Sequence, residues 1–124
     1  MPTRGWEGRL RLAARAIDER LKADPMQSVV HGDPKDANFY FAADGTPQLY
    51  DFQYCGKACP AKDVAYCLCC GSSAWDDADA LARGYHRDLA SALASRGEEP
   101  PPVDAFLESL ELAYADLGRW MSGW

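Results

Sequence analysis

Helical periodicity is interrupted only once along this chain, and that interruption constrains the fold more than any other feature. Apolar residues recur every three or four positions over 6–23 and again from about residue 61 to residue 120, which predicts amphipathic helices. The intervening residues 27–60 lack this period. A chain of 124 residues can bury one hydrophobic core. The sequence therefore predicts a mainly α domain of the α+β class, with one irregular segment between helices.

Short apolar runs within the irregular segment predict strands. Gln27–Val30 is one such run, and Phe39–Phe41 and Pro47–Phe52 flank the dipeptide Asp44-Gly45. Asp-Gly is a strong turn signal, so residues 39–52 predict a small β-hairpin. Three helices are predicted after this segment, over residues 61–70, 73–96 and 103–120.

Charge and hydropathy exclude several classes of partner. The net charge of −6 disfavours nucleic acid and anionic membranes, since phosphates are bound mainly by clustered Lys and Arg. No apolar run approaches the ~20 residues of a membrane-spanning helix. The first residues do not resemble a signal peptide. We therefore expect a cytoplasmic protein with neither nucleic acid nor membrane as a partner.

Five cysteines fall within 16 positions, Cys55 to Cys70. Their odd number and the lack of a secretion signal disfavour a disulfide framework. A structural zinc site usually has two C-x-x-C pairs, and only Cys67 and Cys70 have this spacing. We interpret the cysteines mainly as small buried apolar residues, with metal binding as the alternative. The cysteines are Cys55, Cys59, Cys67, Cys69 and Cys70.

Polar residues with catalytic potential are concentrated in Val30–Phe39 and Gln48–Phe52. Magnesium prefers oxygen ligands and takes one or two of them from protein, with phosphates and water completing its shell. Asn38 and Asp51 suit that role if the hairpin brings them together. Fixed groups of this kind act by positioning and electrostatics. The full set is His31, Asp33, Lys35, Asn38 and Asp51.

The segment 29–66 resembles the catalytic loop of the aminoglycoside phosphotransferase and choline kinase group. That group carries H-G-D-x-x-x-x-N and then an apolar-D-F strand, as 31–38 and 49–52 do here. The segment is also similar to the protein-kinase loop H-R-D-x-K-x-x-N with its later D-F-G. The resemblance implies a protein-kinase-like C-terminal lobe, with a helix, a catalytic loop with a hairpin, and three helices. It also implies ATP and Mg²⁺ as cofactors and a small-molecule hydroxyl as the phosphoryl acceptor.

The resemblance assigns a role to each residue of the loop. It makes Asp33 the catalytic base, and Asn38 and Asp51 the magnesium ligands that hold the nucleotide. It makes His31 a chiefly structural histidine of the catalytic loop. It puts Lys35 near the transferred phosphate, with a plain surface charge as the alternative.

Supporting roles follow from the same resemblance. Phe52 accompanies Asp51, and Asp63, after the loop 56–62, matches an aspartate that braces the catalytic loop. Gln53 stands where protein kinases have the glycine of D-F-G, which favours the small-molecule branch. Acceptor pockets of this group are often lined by acidic and aromatic residues of the late helices, for which the candidates are Asp116, Trp120 and Trp124.

One departure from the resemblance leaves two functions open. The related families have a β-rich N-terminal lobe that grips ATP, but residues 1–28 have no strand pattern and no G-x-G-x-x-G occurs. We therefore expect 1–124 to form a single partial domain whose N-terminal lobe is missing or separately encoded. The chain is then a phosphotransferase fragment or, alternatively, a non-catalytic kinase-like remnant that serves as an interaction module.

Overall fold

The computed structural model describes residues 5–70 and 73–123. The predicted mainly helical α+β fold with small antiparallel sheets is confirmed. Within the described ranges, no helix is both long enough and apolar enough to cross a membrane. The elements in chain order are α1 (Trp6–Lys22), β1 (Ser28–Val30), a 3-10 turn (Asp36–Asn38), β2 (Phe39–Phe41), β3 (Pro47–Leu49), β4 (Gly56–Ala58), α2 (Ala61–Cys70), a second 3-10 turn (Ser73–Asp77), α3 (Ala78–Ser95) and α4 (Val103–Met121).

Helix α4 is the centre of the core, because both α1 and α2 pack against it. On α2, Ala61 and Ala65 are one turn apart and fully buried, and their small side chains allow neighbouring helices to approach closely. The ring of Phe106 on α4 stacks with Tyr85 of α3, with centroids 5.6 Å apart. The buried core consists of Ile17, Leu21, Cys59, Ala61, Ala65, Leu68, Ala82, Phe106, Leu110 and Ala113.

The strands form two separate two-stranded antiparallel sheets. The predicted hairpin is one of them, with Phe39 opposite Leu49 and Phe41 opposite Pro47. The other pairs β1 with β4, which lies within the region 56–62 that we expected to be a loop. That expectation was wrong because a three-residue strand containing a glycine has no detectable alternation of its own. Its backbone is nevertheless the hydrogen-bonding partner that β1 requires.

Two element boundaries differ from those predicted from the sequence. Strand β3 ends at Leu49 and not at Phe52, because Asp51 has a φ of 59°, in the left-handed region that a strand cannot contain. The helix predicted from residue 73 begins as a 3-10 turn, and the α-helix starts at Ala78. Asp77, the last residue of the 3-10 turn, is also the N-cap of α3 and has φ −104° and ψ 11°.

The interpretation of the cysteines as buried residues holds only in part. Cys59 is buried and Cys67 is half-buried, whereas Cys55, Cys69 and Cys70 are exposed. Cys69 and Cys70 are exposed because α2 packs through Ala61, Ala65 and Leu68, so the residues at its end face solvent. Cys55 lies outside α2, directly before β4. In the part of the chain that the structure describes, no group of three or more His, Cys, Asp or Glu side chains could hold a metal ion. Burial raises the pKa of the Cys59 thiol to about 11.

Truncation of Leu110 tests the position of α4. Leu110 is 4% exposed, whereas Leu12 on α1 is 71% exposed. We expect Leu110→Ala to lower the free energy of unfolding by about 2 to 5 kcal/mol, through lost burial and the cavity left behind. Leu12→Ala, the matched control, should change it by less than about 0.5 kcal/mol. Urea denaturation followed by circular dichroism measures both, and equal losses would contradict this packing.

Candidate active site

The carboxylate of Asp33 is the centre of the candidate site. Asp33 is only 6% exposed, and both of its carboxylate oxygens accept hydrogen bonds. Oδ1 accepts the Tyr66 hydroxyl at 2.6 Å, while Oδ2 accepts the Asn38 amide at 2.9 Å and lies 3.2 Å from the Lys35 ammonium. Donors to a carboxylate favour its charged form. The Tyr66 hydrogen bond, followed by the Lys35 and Asn38 donors, lowers the pKa of Asp33 against the opposing effect of desolvation.

Tyr66 is held in its donor role by the same contact. The hydrogen bond to Asp33, together with desolvation, raises the pKa of the Tyr66 hydroxyl to about 12. Tyr66 therefore stays protonated at neutral pH, and Asp33 stays ionised. The pair consists of one fixed donor and one fixed acceptor.

His31 joins the loop 31–38, here called the catalytic loop after the family motif that it resembles, to the end of the hairpin. Its Nδ1 accepts the backbone N–H of Asp33 at 3.2 Å, so in the neutral ring the proton is on Nε2. Nε2 then donates to the carbonyl oxygen of Tyr50 at 2.7 Å. The ring also packs on Phe52, with centroids 4.8 Å apart. His31 thus contacts both segments that carry the candidate site residues.

Asp63 attaches the catalytic loop to helix α2. Its two carboxylate oxygens accept the backbone N–H groups of His31 at 2.7 Å and Gly32 at 3.0 Å. Charge-assisted hydrogen bonds of this kind are among the stronger ones in proteins. The alanines of α2 pack in the core, so α2 has a fixed position. Asp63 lies on α2, and its hydrogen bonds therefore fix the position of the loop as well.

Asn38 and Asp51 lie at the same end of the hairpin. The Tyr50 N–H donates to the Asn38 carbonyl at 3.0 Å, which extends the β2–β3 pairing by one position and puts Asp51 directly after the pair. Asp51 is exposed, and its left-handed backbone costs roughly 1 to 2 kcal/mol for a non-glycine residue. Such conformations are concentrated at functional sites. Among the described residues, the only hydrogen bond that the Asp51 carboxylate accepts is a long one of 3.5 Å from the Gln53 side-chain amide.

The oxygen atoms at this end of the hairpin are of the chemical kind that magnesium prefers as ligands. The Asn38 amide nitrogen donates to both the carboxylate and the carbonyl of Asp33, at 2.9 Å each, which leaves Oδ1 as the free acceptor of that side chain. The Asp51 carboxylate is the second oxygen donor. Two protein ligands suffice for Mg²⁺ when phosphates supply others. The donor set therefore fits magnesium held jointly with a phosphorylated ligand.

An open cleft of about 690 Å³ lies beside Asp33. Asp116 and Trp120, which were proposed from the sequence for an acceptor pocket, line it, whereas Trp124 lies outside the described residues. Asp116 is buried and forms ion pairs with Lys62 at 3.1 Å and Arg119 at 2.5 Å. The cleft thus extends from the catalytic loop to helix α4.

Tyr66 is the residue of the site that sequence reasoning missed, because it was interpreted as part of an apolar helix. A signal was present in the spacing. Asp63 and Tyr66 are three residues apart on α2, and such residues share a helix face. A helix that uses Asp63 to hold the catalytic loop therefore directs Tyr66 toward the same loop.

Comparison with known proteins identifies the class of protein. A model of the phosphotransferase enzyme family (APH) matches residues 3–100, which include the catalytic loop, the hairpin and α2. The chain belongs to this family. No curated protein and no solved structure gives a significant match.

Substitution of Gly32 tests the close packing of the loop. Gly32 and Gly45 both have left-handed backbones, with φ of 87° and 84°. A Cβ at Gly45 would meet nothing within 4 Å, whereas one at Gly32 would lie 2.4 Å from the Tyr54 carbonyl oxygen. We expect Gly45→Ala to cost about 1 kcal/mol of unfolding free energy through backbone strain alone. Gly32→Ala should cost at least about twice as much, because the loop must move.

Urea denaturation gives the two free energies, and amide chemical shifts of residues 31–33 report the movement of the loop. A Gly32→Ala variant that is no less stable than Gly45→Ala, with unchanged shifts, would contradict the packing of the loop against Tyr54.

Proposed function

We propose that this chain is an ATP- and Mg²⁺-dependent phosphotransferase domain that transfers a phosphoryl group to a hydroxyl of a small molecule. Membership of the phosphotransferase enzyme family supports the reaction class. The observation that carries the finer proposal is the position of the Asp33 carboxylate. This carboxylate accepts a hydrogen bond from Asn38, one of two candidate magnesium ligands. Asp33 also lines an open cleft of small-molecule size.

In this proposal Asp33 orients the acceptor hydroxyl and receives its proton. Oδ1 accepts one hydrogen bond from Tyr66, and a carboxylate oxygen has room for a second. The lowered pKa of Asp33 makes it a weak base. A weak base suffices because the transition state of phosphoryl transfer is loose in most analyses, so that positioning contributes more than early deprotonation.

The remaining site residues position charge around Asp33. When bound, Mg²⁺ neutralises the charge of the nucleotide phosphates, and Asn38 and Asp51 would hold it there. The Lys35 ammonium, half exposed and 3.2 Å from Asp33, would neutralise charge on the transferred group. His31, Phe52 and Asp63 are the supporting residues.

A second candidate function is a non-catalytic interaction module, and the aromatic surface of the hairpin favours it. Tyr40, Phe41, Phe52 and Tyr54 are each more than half exposed. Exposed apolar surface of this kind is typical of interaction sites. The partner in this case would be an N-terminal kinase-like lobe. This candidate makes no use of the Asp33 carboxylate.

The test of the proposed function is Asp33→Asn, assayed as ADP formation from Mg·ATP with a panel of small alcohols as acceptors. We expect turnover to fall by about 10² to 10⁴, the usual contribution of a general base, while Mg·ATP affinity is retained. Asp36→Asn is the matched control, because Asp36 lies in the same segment but is exposed. Unchanged turnover in Asp33→Asn would refute the role of Asp33. A wild-type chain that binds no Mg·ATP would favour the interaction module.

A further inference from the structure

The cleft beside Asp33 has a basic lining in an acidic protein. The chain has a net charge of −6, with 13 Lys and Arg residues against 19 Asp and Glu residues. The cleft lining nevertheless contains more basic side chains than acidic ones. The basic residues are Lys35, Lys57, Lys62 and Arg119, and the acidic residues are Asp33, Asp63 and Asp116.

Each of the three carboxylates in the cleft is already satisfied by protein donors. Asp33 accepts the three donors described above. Asp63 accepts two backbone N–H groups of the catalytic loop. Asp116, 6% exposed, is ion-paired with Lys62 and Arg119. A cationic ligand would therefore meet carboxylates that already interact with protein donors, two of them with Lys or Arg, and it would gain less there than from an unpaired carboxylate.

Lys57 differs from the other basic residues of the cleft. It is exposed, it lies on β4 opposite Val29 of β1, and it lines the cleft. No carboxylate among the described residues is within ion-pair distance of its ammonium. Lys57 therefore supplies a positive charge that no carboxylate of residues 5–70 or 73–123 neutralises by an ion pair.

Lys57 lies on the side of Asp33 where we expect the acceptor, and not on the side where we expect the nucleotide. The cleft is lined by Asp33 but by neither Asn38 nor Asp51, the oxygen donors that suit magnesium and phosphates. Trp120 of α4 and Tyr54 add aromatic surface to the same cleft. A molecule in the cleft thus meets the proposed base, an unpaired ammonium group and apolar rings.

We propose that the acceptor is a small alcohol that also carries a carboxylate or phosphate group, and that Lys57 binds this anion while the hydroxyl group faces Asp33. The inference rests on the proposed function, whose acceptor it specifies. A charge-assisted hydrogen bond to the ammonium favours the anion. The surplus of positive charge in the cleft disfavours alcohols that carry a quaternary or primary ammonium group.

The test is a charge series of small alcohols, with binding followed by amide chemical shifts and calorimetry on the complete chain. The probes are glycerol 3-phosphate, glycerate, glycerol and choline. We expect at least one of the two anions to bind more tightly than glycerol, and choline to bind more weakly. The preferred anion distinguishes phosphate from carboxylate. Lys57→Ala should weaken binding of that anion roughly tenfold and leave glycerol unaffected.

Lys22→Ala is the matched control, since Lys22 is an exposed lysine on α1 that pairs with Asp18 outside the cleft. Tighter binding of choline, no binding of either anion, or an equal effect of the two lysine variants would overturn the inference. Displacement of the bound anion by Mg·ATP would also overturn it, because Lys57 would then serve the nucleotide. These results leave the proposed function intact, whereas failure of the wild-type chain to turn over Mg·ATP refutes that function whatever the probes show.

Discussion

A carboxylate removed from water must receive donors or become protonated, and this requirement at Asp33 organises the site. Its donors come from three parts of the chain, namely Lys35 of the loop, Asn38 of the first 3-10 turn and Tyr66 of α2. The same helix holds the loop backbone through Asp63. Because α2 and α4 pack together in the core, the position of the carboxylate is tied to the stability of the domain.

This arrangement gives the site two chemically different sides. On one side, the hairpin brings the oxygen donors of Asn38 and Asp51 to its end, with Asp51 in a left-handed backbone. On the other side is a cleft with aromatic surface and with Lys57, whose ammonium pairs with no carboxylate in the described part of the chain. Asp33 borders both. A transfer reaction requires the molecule that gives up the group and the molecule that accepts it to be held next to each other, here on the two sides of Asp33.

The sequence predicted the features that depend on local patterns. The bounds of α1, α2 and α4 follow from their apolar stripes, and the hairpin follows from Asp44-Gly45. Contacts between distant residues were not predictable in this way. The Tyr66 hydroxyl reaches Asp33 across 33 positions, and its only signal was the spacing from Asp63, not an apolar pattern. Strand β4 has no pattern of its own without β1. Of the residues that line the cleft beside Asp33, the sequence analysis had indicated Asp116 and Trp120 for a pocket, and the ion pairs that neutralise Asp116 depend on tertiary packing.

The central claim is the proposal that Asn38 and Asp51, next to Asp33, hold one divalent ion together with a nucleotide. Titration of the ¹⁵N-labelled chain with Mn²⁺·ATP tests it most directly, because a bound paramagnetic ion broadens the resonances of nearby amides. Selective broadening at residues 33, 38 and 51, with sharp signals along α3, is the expected result. Broadening that is absent, or that is centred away from these three residues, would contradict the claim.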